Sequence, residues 1–189
     1  MFIADKLRKE NIAEYLLYMW QVEDIIRAYG CDILRIRKEY LSKFSLSDED
    51  MEEEELWWRN LVRMMKEEGV TESGHLQINK ATMQILSELD AQLLNSPEYP
   101  FYNAQYYKVL PYIVELRRRS NSQGPAQKSN QKTQISEVET CFEALYGLML
   151  LKLQHKTITP DTEHAMKEIT TYIGMLNDYY FKDKENPLF

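Results

Sequence analysis

The chain contains only two cysteines, and their scarcity is the first constraint on its class. Cys31 and Cys141 lie far apart, each within an apolar helical pattern, and they do not have the spacing of a redox or zinc motif. Secreted domains stabilised by disulfides and cysteine-based zinc modules are therefore excluded. We expect two buried, reduced thiols in a cytoplasmic protein.

Histidine is also scarce, which leaves little for metal or acid–base chemistry. Di-iron helical proteins need two Glu-x-x-His pairs on facing helices. The three histidines supply one such spacing, Glu72 with His75, and it contains Gly74 in a turn. Asp161 and His164 are also three residues apart, but no third ligand accompanies them. The sequence therefore predicts no metal site, no catalytic residue and no cofactor.

Glycine-rich loops, a basic surface and long apolar runs are missing as well. The six glycines are scattered singly, so no loop that cradles phosphate groups is present. The formal net charge of −7 argues against a nucleic-acid partner. The basic cluster at Arg117 to Arg119 is explained by the end of a predicted helix.

No apolar run approaches the ~20 residues of a membrane span. The N-terminal segment MFIADKLRKEN lacks the apolar core of a signal peptide, because Asp5 and Lys6 follow after only three apolar residues. We therefore expect a soluble protein with no membrane partner.

What the chain does have is helical periodicity over almost its whole length. Apolar residues recur three and four positions apart, and glycine, proline and polar residues separate the segments. The pattern predicts an all-α, single-domain bundle over residues 1–189, with six or seven mostly antiparallel helices. Pro111 should kink or split the fifth helix near Tyr107. The predicted helices cover about residues 6 or 11 to 29, 32–44, 47–69, 76–95, 101–119, 136–155 and 160–185.

The segment from Val138 to Leu153, VETCFEALYGLMLLKL, has eleven apolar residues in sixteen. Glu139 and Glu143 share one face of the helix, but Leu150 occupies that face two turns later. A helix that is apolar nearly all round needs neighbours on every side. We expect its second half to be the apolar central helix of the bundle. The preceding residues 120–134, with one apolar residue in fifteen, are expected to form a flexible polar loop.

The run KENIAEYLLYMWQVEDIIRAYG, Lys9 to Gly30, resembles the N-terminal signature of a family of small all-helical bacterial proteins, catalogued only as a domain of unknown function. The resemblance extends over most of the chain. It implies an all-α fold and a bacterial cytosol. It carries no activity, substrate or catalytic residue that can be transferred to this chain.

Within this run, Glu23 lies in the apolar stripe of its helix, with Arg27 one turn further on. One interpretation is an ion pair at the edge of the core, with Arg27 extending to water. The other is a carboxylate in a partly apolar pocket, available for acid–base work or ligand recognition. Tyr102 and Tyr106, on the fifth predicted helix, are candidates to line such a pocket.

A candidate interface lies on the third predicted helix. Trp58 belongs to its buried stripe, while Trp57 and Met64 lie together on the flank. They either widen the core or form a patch that pairs with another chain, since buried tryptophans dominate contact energy. The candidate interface is therefore Trp57, Trp58 and Met64, with the aromatic cluster from Tyr99 to Tyr107 as a further part.

These patterns favour a non-catalytic cytosolic protein, a helical interaction or assembly module that binds a protein partner or itself. A homodimer is its simplest form. The alternative is a small-molecule-binding protein or enzyme with a tyrosine-lined pocket near Glu23 and Arg27. The first hypothesis predicts oligomerisation that Trp57→Ala weakens, and the second predicts a ligand whose binding Glu23→Gln abolishes.

Overall fold

The computed structural model describes residues 1–123 and 135–189, which form eight α-helices, a short 3-10 helix at Leu41–Lys43 and no strand. The predicted all-α fold is confirmed, and the predicted number of six or seven helices is too low. In chain order the helices are α1 (Phe2–Glu10), α2 (Ile12–Ala28), α3 (Ile33–Glu39), α4 (Asp48–Glu67), α5 (Gln77–Asn95), α6 (Pro100–Gln123), α7 (Glu137–Leu153) and α8 (Pro160–Glu185).

The additional helix arises because the chain breaks at Asn11. This residue has extended dihedral angles, φ −153° and ψ 96°. Its side-chain oxygen accepts a hydrogen bond from the Glu14 N–H at 3.0 Å, which is the geometry of an N-cap. The sequence left open whether the first helix starts at Lys6 or at Asn11, and the structure has one helix on each side of Asn11.

The chain divides into two compact units, Met1–Thr82 and Met83–Phe189. The boundary falls inside α5, so the first turns of α5 belong to the first unit and the remainder to the second. The prediction of one domain over residues 1–189 stays a prediction.

The core of the first unit comes largely from α2 and α4. α1 packs on α2, and α3 packs on α4. Gly30 follows the end of α2 with φ +66°, the left-handed conformation that glycine adopts without strain. The apolar pattern predicts an inner face on each helix, and its residues are buried except Met51, which is half-buried: Ile12, Leu16, Met19 and Ile26 on α2, and Trp58, Leu61, Val62 and Met65 on α4. Glu23 is on the same inner face of α2.

In the second unit, α6, α7 and α8 pack against one another. α6 continues without interruption through Pro111 to Gln123, so the predicted split near Tyr107 does not occur. Residues 120–123 of the predicted loop are therefore helical, and the rest of that loop, 124–134, lies outside the described residues. The buried side chains of the three helices include Tyr102, Val109, Ile113, Val138, Phe142, Ile169, Tyr172 and Leu176.

The burial of α7 contradicts one prediction. The second half of this helix was expected to be the most enclosed part, but its buried residues are in the first two turns: Val138, Thr140, Cys141 and Phe142. Residues 144–150 are half-buried, and Leu151 and Leu153 are exposed. An apolar sequence indicates which residues would gain from burial. It does not indicate how far the neighbouring helices extend.

Candidate functional site

Glu23 is a carboxylate with no exposed surface inside the first unit. Its Oε1 accepts hydrogen bonds from the Leu76 N–H at 2.9 Å and from Asn79 Nδ2 at 2.7 Å. Its Oε2 lies 2.6 Å from His75 Nδ1. All three partners lie at the start of α5, where the helix dipole favours negative charge. Three donors at this position explain how the apolar stripe of α2 tolerates an acid.

His75 takes its orientation from Glu23 and Trp20. An ionised carboxylate only accepts hydrogen bonds, so His75 Nδ1 carries the hydrogen, and Nε2 is an acceptor when the ring is neutral. The ring stacks on Trp20, with centroids 4.3 Å apart and planes inclined by 18°. The His75 side chain is 32% exposed. The pair therefore connects a buried carboxylate to the protein surface.

Arg27 holds the turn that precedes α5. Its guanidinium donates to the carbonyl oxygens of Val70, at 3.3 Å, and Gly74. Its ion-pair partner within residues 1–123 and 135–189 is Asp24, at 2.8 Å, in place of the Glu23 partner that one interpretation of the sequence proposed. Arg27 and Glu23, one helical turn apart on α2, therefore both hold the segment before α5. Arg27 binds backbone carbonyl oxygens of that segment, and Glu23 binds the residues that follow it.

Asn79 completes the cluster around Glu23. Because the carboxylate cannot donate, the Asn79 amide must present its nitrogen to Glu23, and this assigns the two amide atoms. Asn79 is 1% exposed, and its Oδ1 has no hydrogen-bond partner in the described part of the chain. Buried acceptors without a donor are uncommon. The cluster therefore retains one unused acceptor.

The two tyrosines predicted to line a pocket, Tyr102 and Tyr106, belong to the second unit, where each binds a carboxylate. Tyr102 donates to Asp90 Oδ1 at 2.6 Å, and Tyr172 donates to the same oxygen. Burial raises the pKa of all three groups. Tyr106 donates to Glu137 Oε2 at 2.8 Å, and burial raises its pKa to about 12. Their predicted role in a pocket with Glu23 and Arg27 stays a prediction.

The basic cluster at Arg117 to Arg119 is tied to neighbouring groups. Arg118 and Arg119 pair with Glu115 at 2.9 and 2.8 Å, and their hydrogen bonds lower the pKa of Glu115 to about 2. Arg117 donates to the carbonyl oxygen of Ile135 at 2.8 Å. The sequence predicted that this cluster lies at the end of its helix. It does not lie in the last turn of α6, because that helix continues to Gln123.

The predicted interface residues differ in their access to another chain. Trp58 is 3% exposed, and its ring lies 5.3 Å from that of Tyr40 and 5.6 Å from that of Trp57. Trp57 and Met64 are half-buried, and the adjacent Leu56 is exposed. Contact through this face would use Trp57, Met64 and Leu56, because Trp58 belongs to the core. The interface itself stays a prediction.

A solvent-facing apolar stripe runs along α6. It consists of Pro100, Ala104, Tyr107, Pro111 and Val114, all exposed. The spacing of four, three, four and three residues keeps these side chains on one side of the helix over about 21 Å. Tyr107 is 66% exposed and Val114 59%, and Phe101 on the flank reaches 82%. We call the five residues Pro100, Ala104, Tyr107, Pro111 and Val114, without Phe101, the α6 stripe.

A surface cleft of about 290 Å³ in the first unit is lined by Arg37, Glu52, Glu55, Leu56 and Arg59. Glu55 is buried and pairs with Arg37 at 3.0 Å and with Arg59 at 2.5 Å. Both arginines of the cleft therefore already bind a carboxylate. The Arg37–Glu55 pair joins α3 to α4, so these charged residues have a structural role.

No group of three or more His, Cys, Asp and Glu side chains within residues 1–123 and 135–189 could hold a metal ion. No described helix combines the length and the apolar character that crossing a membrane requires.

Comparison with known proteins assigns the family. A family model described as a domain of unknown function (DUF4924) matches residues 1–187. The chain belongs to this family. Searches of curated proteins and of solved structures found no match. The resemblance seen at Lys9 to Gly30 is thereby confirmed, and the family description carries no activity. The bacterial origin that the resemblance implied stays a prediction.

The sequence pattern singled out Glu23 but not its partners His75 and Asn79. His75 lies in a polar turn and Asn79 on a helix, more than fifty residues from Glu23. The available signal was the spacing of Leu76, Asn79 and Met83, in which a polar residue occupies a position of the buried face. A polar residue at such a position needs a buried partner.

Proposed function

We propose that the protein is a cytosolic helical assembly module that forms a homodimer through the α6 stripe. The observation that carries the proposal is the exposure of five apolar residues with the spacing of a helix–helix seam. Contiguous exposed apolar surface on a soluble protein typically marks an interaction site. The cytosolic location is supported by the two free, buried cysteines, Cys31 and Cys141.

The shape of the α6 stripe favours a second copy as the partner. Antiparallel pairing about the midpoint between Tyr107 and Pro111 places Tyr107 of each copy opposite Pro111 of the other. Ala104 then lies opposite Val114. Large and small side chains alternate across the seam, and the arrangement has the two-fold symmetry of most homodimers.

Charges at the two ends of the α6 stripe are complementary in the same arrangement. Arg118 is the next position after Val114 at this spacing, and it is exposed. Antiparallel pairing brings it beside Pro100 of the second copy, close to the exposed Glu98. Arg118 and Arg119 share one carboxylate, Glu115, so this end keeps a net positive charge. Opposite charges therefore meet at both ends, which favours this register over a parallel one.

The contact is expected to be weak. Stable dimers bury about 800 Å² on each partner, and one pair of helices in contact over about 21 Å buries less. We expect a dissociation constant on the order of micromolar or weaker.

Sedimentation velocity over a range of concentrations tests the dimer. The wild-type protein should shift from monomer to dimer, and the double variant Tyr107→Glu/Val114→Glu should stay monomeric, because both side chains are mainly exposed and the new carboxylates repel each other across the seam. Leu34→Glu is the matched control, since Leu34 is 70% exposed on α3, and it should dimerise normally. A wild-type protein that is monomeric at every concentration contradicts the proposal. Loss of association in Trp57→Ala but not in the α6 variant would move the interface to α4.

Disulfide trapping tests the antiparallel register. A mixture of Ala104→Cys and Val114→Cys proteins should yield the mixed disulfide faster than either protein alone yields its own dimer. The native cysteines are 5% and 0% exposed, so they should not compete. Equal yields of all three products would exclude this register.

A further inference from the structure

The cluster around Glu23 contains a surface-accessible acceptor that the assembly function does not use. The three groups that approach the carboxylate are a backbone N–H, an amide nitrogen and His75 Nδ1. The ionised carboxylate therefore holds His75 in the tautomer with hydrogen on Nδ1. Nε2 of the neutral ring then presents a lone pair, on a side chain that is 32% exposed.

The charge around this acceptor is negative. Glu23 and Glu68 both accept hydrogen bonds from groups at the start of α5, Glu68 from the Gln77 N–H at 2.7 Å. The nearby Arg27 is paired with Asp24 at 2.8 Å, so its charge is offset. The partial positive charge at a helix N-terminus is about half an elementary charge, which does not cancel two carboxylates. A cation is therefore favoured at this place over an anion.

Asn79 provides a second, independent indication. Its Oδ1 is buried without a donor among the described residues, and it belongs to the amide that binds Glu23 at 2.7 Å. A carbonyl oxygen whose partial charge no hydrogen bond offsets adds to the negative potential of the cluster. Helix capping accounts for Glu23, but it does not account for this unpaired oxygen or for an outward acceptor on His75.

We propose that this cluster binds the ammonium group of a small molecule, with His75 Nε2 accepting a hydrogen bond from the ammonium N–H. An alkylammonium group ordinarily has a far higher pKa than imidazole, so the proton stays on the ligand. Glu23 and Glu68 stabilise the bound charge through space, and Glu23 positions the imidazole. The site and the α6 stripe use different residues, so the two proposals fail or hold independently.

Ethanolamine and choline form a matched pair of probes. Both carry one positive charge, but only the ethanolamine ammonium has N–H donors. Nitrogen-15 NMR of the imidazoles, at about pH 8 where free imidazole is neutral, should show a saturable shift of His75 Nε2 with ethanolamine. Choline should produce none, and His155 and His164 should not respond to either probe. A linear shift without saturation, or an equal response to choline, overturns the proposal.

Variants separate binding from folding. His75→Phe keeps a ring to stack on Trp20, and it should abolish the saturable change in the Leu76 amide signal while the circular dichroism spectrum is preserved. His164→Phe is the control and should bind as the wild type does. Undiminished binding in His75→Phe overturns the proposal, and so does a His75 whose resting tautomer carries hydrogen on Nε2.

Discussion

Glu23 in the first unit and Asp90 in the second are both buried carboxylates, and they are satisfied in different ways. Glu23 receives a backbone N–H, an amide and an imidazole, and the imidazole reaches the surface. Asp90 receives two tyrosine hydroxyls, from Tyr102 and Tyr172, neither of which has any exposed surface. The first network is open to solvent on one side, and the second is closed.

The difference indicates what each network can do. A closed network fixes the packing of the helices that contribute to it, since its hydrogen bonds require one arrangement of α5, α6 and α8. An open network does the same for α2 and the start of α5, and its histidine can also meet a ligand. The contrast can be tested by removing each carboxylate and then single donors.

The largest effect is expected from Glu23→Leu. This change leaves the Leu76 N–H and the Asn79 amide buried without an acceptor, so the free energy of unfolding should fall by about 3 to 5 kcal/mol. Urea denaturation followed by circular dichroism measures it. Glu14→Gln, an exposed position on the same helix, should cost about 0.5 kcal/mol or less.

Glu23→Gln refines this prediction. The Gln oxygen can still accept from Leu76 and Asn79, but its NH₂ group faces His75 Nδ1, so His75 should switch to the tautomer with hydrogen on Nε2. Nitrogen-15 NMR reports the tautomer directly. An unchanged tautomer would show that the Glu23 contact does not determine it.

An intermediate effect with a defined pH dependence is expected for Asp90→Asn. Burial raises the pKa of Asp90, so the folded state binds its proton more readily than the unfolded state does. As pH falls from neutral through the folded pKa towards the unfolded value near 4, the wild type should gain stability relative to Asp90→Asn. Unfolding free energies of both proteins over this range test it, with Glu88→Gln, exposed on the same helix, as a control that lacks this trend. The opposite slope would contradict the assignment.

The smallest effects are expected from single hydroxyl deletions. Tyr172→Phe removes a fully buried donor to Asp90 and should cost about 1.5 to 3 kcal/mol, as for hydrogen bonds to charged groups. Tyr106→Phe removes a half-buried donor to Glu137 and should cost less than about 1 kcal/mol. Thermal unfolding measures both costs. If they are equal, the buried Tyr172–Asp90 hydrogen bond stabilises the fold no more than the half-buried Tyr106–Glu137 hydrogen bond does.

The apolar pattern of α5 indicated only part of its buried face. The stripe of Ile78, Ile85, Leu89 and Leu93 predicts burial, and Leu89 and Leu93 are buried, whereas Ile78 and Ile85 are exposed. The buried residues of the first half are instead Leu76, Asn79, Met83 and Leu86, and Asp90 is buried further along. Asn79 and Asp90 interrupt the apolar pattern, so hydrophobicity alone did not identify these positions. Asn79 and Asp90 are the α5 residues that bind in the two polar networks.

Local features were more predictable, because they depend on residues close together in the chain. The side chains of Ser136 and Thr159 accept hydrogen bonds from the N–H groups of Glu139 and Thr162, and both caps can be recognised in the sequence, Ser136 by the Glu three residues later and Thr159 by the Pro that follows it. Two reduced thiols were expected, and Cys31 and Cys141 are free and buried. Burial also raises the pKa of Cys141 to about 12.

By itself, the sequence determined the helical class, most helix ends, the buried faces of α2 and α4 and the family. Each of these follows from periodicity, capping or composition within a short window. Only the tertiary structure decided the partners of Glu23 and Asp90, the incomplete burial of the second half of α7 and the solvent-facing stripe on α6. These depend on which groups meet across long sequence separations and on where neighbouring helices end, and no local pattern carries that information.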